Sequence, residues 1–220
     1  MKEGDEHGQV IFNTRAVLVN SDFTLIANRK DLKSFRKCLE DPKASQFFFT
    51  IFDASLPFHQ FTFSLGAMKM LSEPNAGGHS EQSEALSYEL MHRLFSAELV
   101  KTEMEIAYTI QNWKKTDYLC SIGSHRVGVS VTRAVGFPSE TDWSESDAVE
   151  LIQKKMIGVC ISSKGACERD EWERQILHIW VQRPEAARML MHAYHALHPA
   201  LRANTVVICT VAGNHKWIFS

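Results

Sequence analysis

A Gly-Ser pair at positions 123 and 124 separates two β-prone runs, and the register it sets brings an acid, a base and two hydroxyls together. A two-residue loop with Gly first favours a type II′ turn, so Ile122 should face His125 in a hairpin from Thr116 to Val135. Counting outward, Leu119 faces Gly128, Asp117 faces Ser130 and Lys115 faces Thr132. Paired residues, and residues two apart along a strand, share one side of a sheet. Lys115, Asp117, Ser130 and Thr132 are therefore expected on one face. Tyr118, Cys120, Ile122, Val127, Val129, Val131 and Val135 turn to the core, and Arg133 is the exception among them. Carboxylate oxygens suit a hard cation and an ammonium suits an anion such as phosphate, so this face holds the groups on which chemistry can rest.

The elements around the hairpin decide what overlooks it. Ser80 is placed to cap a helix that opens with Glu81 and Glu84 against the positive end of its dipole. Leu86, Leu90, Leu94, Ala97, Val100, Met104 and Tyr108 recur every three or four positions, which predicts one helix running to about Tyr108. Glu98 and Glu105 then lie at the rim of its apolar stripe, and Glu105 is the nearer to the strand carrying Asp117. After the hairpin, Ser144 or Ser146 caps a second helix that starts acidic and ends at Lys154 and Lys155. Strands are expected at Ile157 to Ser162, Ile176 to Val181 and Thr205 to Val211, with a helix from Pro184 to Leu197 between the last two. Toward the start, Val10 to Val19, Phe23 to Ala27, Phe47 to Asp53 and Phe58 to Leu65 read as strands around a helix from Asp31 to Leu39. The turn-rich SEPNAGGH stretch divides the chain into a β-rich N-terminal subdomain (1–71), a linker (72–79) and an α/β domain (80–220).

A helix with a rim glutamate, a hairpin with Asp117 on its first strand and a polar pair two apart on its second together resemble the metal-dependent PD-(D/E)XK nuclease superfamily. The resemblance covers roughly residues 80 to 162, with 176 to 211 as an extension of the sheet. It implies a restriction-endonuclease-like α/β fold, a mixed central sheet flanked by helices. It also implies Mg²⁺ held by Asp117 and a second carboxylate, with a lysine to position or activate the attacking water. Ser130 and Thr132 stand where the superfamily has that second acid and that lysine, and the strand usually found between the first helix and the aspartate has only residues 109 to 116 available to it. On this reading Glu105 supplies the second carboxylate and Lys115, opposite Thr132, supplies the ammonium. Lys114, Arg126 and Arg133 then lie near nucleic-acid phosphates. The alternative is a protein-interaction or scaffold module that keeps the fold without the chemistry and holds a protein partner through its N-terminal subdomain.

Other patterns carry less. Gly128-Val129-Ser130-Val131-Thr132 lacks the final glycine and the strand-to-helix turn of a nucleophile elbow. His192, His195 and His198 project opposite the apolar face of their helix and read as a solvated face, while His178 sits in an apolar strand and reads as a hydrogen-bonded core residue. Cys160 and Cys167 lack the second pair that a structural zinc site needs. Gly77-Gly78 reads as a flexible boundary, and the aromatic run from Phe47 to Phe63 lacks the interleaved Arg and Lys of a nucleic-acid groove and reads as core.

Composition narrows the setting. At 220 residues the chain can bury a core without disulfides, and its hydrophobic (45%) and charged (23%) shares are those of a packed protein. A formal net charge of −2 argues against a protein that coats nucleic acid non-specifically, leaving a local basic groove open. No apolar run approaches a bilayer span and the polar, acidic start is unlike a signal peptide, so no membrane partner is expected. Five scattered cysteines fit a reducing, intracellular compartment, cytoplasmic or nuclear.

Overall fold

A computed structural model describes residues 15–41, 43–73, 80–110, 113–136, 143–202 and 204–219. Eight strands form one mixed sheet: β1 (Arg15–Val19), β2 (Phe23–Asn28), β3 (Gln46–Ala54), β4 (Glu98–Thr102), β5 (Tyr118–Ile122), β6 (His125–Ala134), β7 (Arg174–Val181) and β8 (Thr205–Val211). Their spatial order is β1-β2-β3-β8-β7-β6-β5-β4. Both ends of the sheet are antiparallel, whereas β3, β8, β7 and β6 run parallel. The expected α/β class, with a mixed sheet flanked by helices and a β-rich N-terminal region, is what the chain adopts. The N-terminal strands join the rest through the β3–β8 pairing.

The parallel strands read as continuous apolar runs because helices cover both of their faces. Every residue of β7 and β8 is buried. Ile176 and Trp180 point to a core shared with α1 (Arg29–Glu40), α2 (Leu65–Ser72) and α3 (Glu81–Phe95). Leu177, Ile179 and Val181 point to the opposite core, under α4 (Glu145–Gly165) and α5 (Pro184–Ala196). A short α6 (Pro199–Arg202) follows. No described helix is long and apolar enough to cross a membrane.

The hairpin has the expected register, from Ile122 opposite His125 to Leu119 opposite Gly128. Gly123 takes φ 60° while Ser124 is not among the described residues with positive φ, as a type II′ turn requires. The helix expected to reach Tyr108 stops at Phe95. Ser96 turns the chain out in the left-handed conformation at φ 55°, and Glu98–Thr102 becomes edge strand β4 paired with β5. The helical spacing of Val100 and Met104 was coincidental, since both are exposed and the pairing with β5 decides the conformation. This change supplies a strand before Asp117, so the described residues between 81 and 181 run helix, three antiparallel strands, helix, parallel strand.

Two expected strands are helical or irregular. Ile157 to Ser162 lies inside α4, because Ala148, Ile152, Met156 and Val159 form one buried stripe at spacings of four and three, which outweighs the β preference of its branched residues. Ser144 caps this helix in a reciprocal capping box with Asp147. Phe58 to Leu65 forms a 3₁₀ turn and then the start of α2, its aromatic rings packing on one another and on Trp217 rather than on a strand. Within the predicted strand from Val10 to Val19, only Arg15–Val19 lies among the described residues, and most of the predicted linker lies outside them.

Candidate functional site

Asp117 immediately precedes β5, in a bend, and so escapes the in-out alternation of the strand. Its N–H donates to the Val129 carbonyl at 3.0 Å, and its Oδ2 accepts from the Val131 N–H at 2.7 Å. The carboxylate thereby satisfies a β6 donor beyond the end of β5, a short charge-assisted bond that fixes its orientation. Thr116, rather than Asp117, meets Ser130, with the two hydroxyl oxygens 3.1 Å apart. The shared face of Lys115, Asp117, Ser130 and Thr132 is therefore broken at its first two members, because β5 begins only at Tyr118 and the strand alternation does not reach back to them.

A cavity of about 420 Å³ opens beside Asp117 at the carboxyl end of β6, the end of parallel strands where ligands generally bind. Its wall includes Ser83 and Glu84 from the first turn of α3, Thr132 and Arg133 from β6, and Lys155 from α4. A second, small cavity that shares Glu84 and Asp117 with it is lined by Glu73 and Glu103 as well. Helices from opposite faces of the sheet thus bring a carboxylate and an ammonium around the end of β6 to the same aspartate. The Asp117 residue keeps partial access through the cavity, but its carboxyl group is packed round by protein. Burial, and next the negative charge of Glu84, push that carboxyl well above the ordinary carboxylate range, against the opposing pull of the Val131 N–H and the Lys155 charge. Burial lowers the Lys155 ammonium, while Asp117 acts on it in the opposite sense.

The other expected site residues are distributed differently. Glu105 lies on a 3₁₀ turn at Glu103–Glu105, not on the long helix. Its Oε1 accepts from Lys69 Nζ at 2.6 Å and its Oε2 from the Thr102 N–H at 3.0 Å, and this pairing holds the carboxylate below its ordinary range. It does not line the cavity, and Glu84 stands where Glu105 was expected. Lys115 is exposed and outside the cavity wall, so the ammonium beside Asp117 is that of Lys155. Lys114 is exposed, and its charge reaches Lys155. Arg133 lines the cavity and Nη1 approaches the Ile218 carbonyl at 3.5 Å, whereas Arg126 sits near the hairpin turn and donates to the Arg169 carbonyl at 3.0 Å.

Glu84 was hidden in the sequence because an acid in the first turn of a helix is also what the dipole favours. Lys155 was hidden because the second helix was expected to end there. The buried stripe of α4, continued past Lys155 to Val159, is the signal that locates it mid-helix.

His178 is fully buried as the centre of a hydrogen-bonded chain, with Nδ1 2.7 Å from Ser87 Oγ and Nε2 2.7 Å from Thr210 Oγ1. Thr50 and Tyr118 extend the chain at either end. Burial drops the imidazole pKa to about 3, so it serves as a neutral core residue. His192, His195 and His198 are exposed, and no group of three or more His, Cys, Asp or Glu side chains is arranged to hold a metal among the described residues.

No family model matches the sequence. The chain is 31% identical over 215 residues to the AAC-rich mRNA clone AAC4 protein of Dictyostelium discoideum, an alignment that takes in 94% of this chain and 31% of that protein. The chain therefore spans about a third of the length of this curated relative. A solved structure, Pyrococcus furiosus SfsA in complex with Ca²⁺, aligns over 90% of this chain and 88% of its own with 12% identity and a TM-score of 0.30.

Proposed function

We propose that this protein is a divergent metal-dependent phosphodiesterase acting on nucleic acid, with Asp117 and Glu84 as the carboxylates that hold Mg²⁺ and Lys155 as the ammonium beside them. The observation that carries the reading is the convergence of these three residues on one cavity from a strand end and from helices on both faces of the sheet. The order of elements from α3 to β7, with β4 before the aspartate, supports it further.

The donor set fits the ion. Mg²⁺ is commonly held through one or two carboxylates, with waters and substrate phosphates completing its shell, so two carboxylates are enough. Burial and the Glu84 charge oppose ionisation of Asp117, and a divalent cation held between the two acids would favour its carboxylate form. When bound, Mg²⁺ supplies Lewis-acid stabilisation of charge on the phosphate and its attacking oxygen. Asp117, oriented by the Val131 N–H, and Glu84, fixed on the rigid first turn of α3, set where the phosphate must sit. Lys155 takes the role expected of a lysine at Thr132, placing a positive charge against a phosphate oxygen or the incoming water. Arg133 and Lys114 flank it for the neighbouring phosphates.

The second reading, binding without cleavage or a scaffold role, is favoured by Ser130 and Thr132 in place of a carboxylate and a lysine. A screen of single-stranded, double-stranded and branched DNA and RNA, with Mg²⁺ or Mn²⁺ and with chelator, separates the two. Metal-dependent cleavage that Asp117→Ala and Glu84→Gln abolish supports the enzyme. Metal-independent, salt-sensitive binding without products supports the binder. Neither activity on any substrate, with a protein partner recovered through the N-terminal part, supports the scaffold.

A further inference from the structure

We infer that the groove between α1 and the end of α3 is a second nucleic-acid contact, one that seats a single strand. This deepens the nucleic-acid reading of the Asp117 cavity but rests on different residues. Arg29, Lys33 and Arg36 line a cavity of about 280 Å³ together with Leu32, Leu94 and Phe95. Spacings of four and three put the three cations in one stripe along α1, about 6 and 4.5 Å apart in rise. All three are exposed, and none forms an ion pair with a carboxylate among the described residues. In a chain of formal net charge −2, this is a local concentration of positive charge.

The floor decides which anion fits. Leu32, Leu94 and Phe95 are half-buried between the cations, and the Phe95 ring is stacked on the buried Phe35 with centroids 3.9 Å apart. A recessed, rigid aromatic surface rimmed by cations accepts a flat ring with phosphates on either side, the arrangement that single-stranded nucleic acid offers. A bilayer would call for fully exposed apolar side chains beside the charges, whereas Leu32, Leu94 and Phe95 are half-buried and Arg29, Lys33 and Arg36 are exposed. Glu84 and Leu94 are ten residues apart on α3, so the groove and the Asp117 cavity sit at opposite ends of that helix, about 15 Å apart along its axis. One strand can span both.

The test is fluorescence anisotropy of the full chain with labelled dT₁₅ and U₁₅ in chelator, so that no metal-dependent chemistry contributes. The Arg29→Gln/Lys33→Gln/Arg36→Gln variant, altered only at exposed positions, should melt as the wild type does. It should bind at least tenfold more weakly, with the salt slope reduced by about 2 for three lost phosphate contacts. Phe95→Leu should weaken binding with the salt slope unchanged. Unaltered affinity of the triple variant, no binding by the wild type, or preference for a poly-glutamate peptide or phosphatidylserine vesicles would each overturn the inference. Groove-dependent binding without cleavage would leave the inference standing and sink the enzyme reading. Asp117-dependent cleavage with no effect of the groove substitutions would do the reverse.

Discussion

Glu84, in the first turn of α3, and Asp117, just ahead of β5, face the same cavity, and the charge of the first helps keep a proton on the second. The pairing is a cost to the fold that a ligand can offset. A buried carboxylate placed near another is poorly accommodated unless a cation joins them, so stability, metal binding and pH should be coupled at this one point.

Asp117→Asn should raise the melting temperature near neutral pH by on the order of a few degrees. The sign follows from the raised carboxyl pKa: the folded state holds its proton more tightly than the unfolded chain, so the penalty is full above the folded pKa and vanishes below the unfolded value of about 3.9. Melts of the two proteins from pH 8 to pH 4 should converge on acidification. A wild-type advantage at pH 8 in metal-free buffer would contradict the assignment. Millimolar Mg²⁺ should raise the wild-type melting temperature and leave the variant unchanged.

Lys155→Met should separate metal binding from chemistry. Removing a positive charge beside two carboxylates lessens repulsion of a divalent cation, so Mn²⁺ affinity measured by calorimetry should rise several-fold. Cleavage should fall by about 10²-fold or more, the range for losing a positioned proton-transfer or charge-stabilising group. An equal loss of metal affinity and activity would instead make Lys155 a structural support. Thr132→Lys in the Lys155→Met background should restore part of the rate, because both positions line the same cavity.

His178 should make the fold acid-sensitive in a defined window. Its pKa is depressed to about 3, so stability is fully present above the unfolded value of about 6.5 and is lost as pH falls from there toward 3, by about 1.4 kcal/mol per pH unit in that window. Urea titrations at pH 7, 6 and 5 should show this slope, and His178→Gln should flatten it. The variant should also be less stable at pH 7 by about 1–3 kcal/mol, since the Ser87 and Thr210 hydroxyls lose well-aligned partners in the core.

Gly128→Ala should destabilise the protein by about 1–3 kcal/mol. An added Cβ would come within 2.5 Å of the Trp172 ring, which packs directly on the β6 backbone. Denaturant unfolding followed by tryptophan fluorescence reads both the stability loss and the displaced ring. A wild-type midpoint would show that Trp172 can move away at little cost.

Much of the fold was legible because local signals agreed with their surroundings. The Gly123-Ser124 turn set a register that the structure keeps pair by pair, and β8 spans the expected Thr205–Val211. The failures were residues with two compatible patterns. ELVKT continued a helical spacing yet lay down as β4, and the branched residues near Ile157 looked like a strand yet joined the buried stripe of α4. In both places the neighbouring element arbitrated, β5 in one case and the β7–β8 face in the other.

The candidate site divides in the same way. The sequence by itself determined the hairpin, the place of Asp117 at its entry and the absence of an acid and a lysine at Ser130 and Thr132, because turn geometry and strand alternation act over a few residues. Only the tertiary structure decided that Glu84 and Lys155 meet Asp117 while Glu105 turns to Lys69 and Lys115 faces solvent. Those encounters join residues 33 and 38 positions from Asp117, and depend on where α3 ends, how far α4 continues and how the helices pack on opposite faces of the sheet. No spacing along the chain encodes that, since it is fixed by the packing of faces rather than by the order of residues.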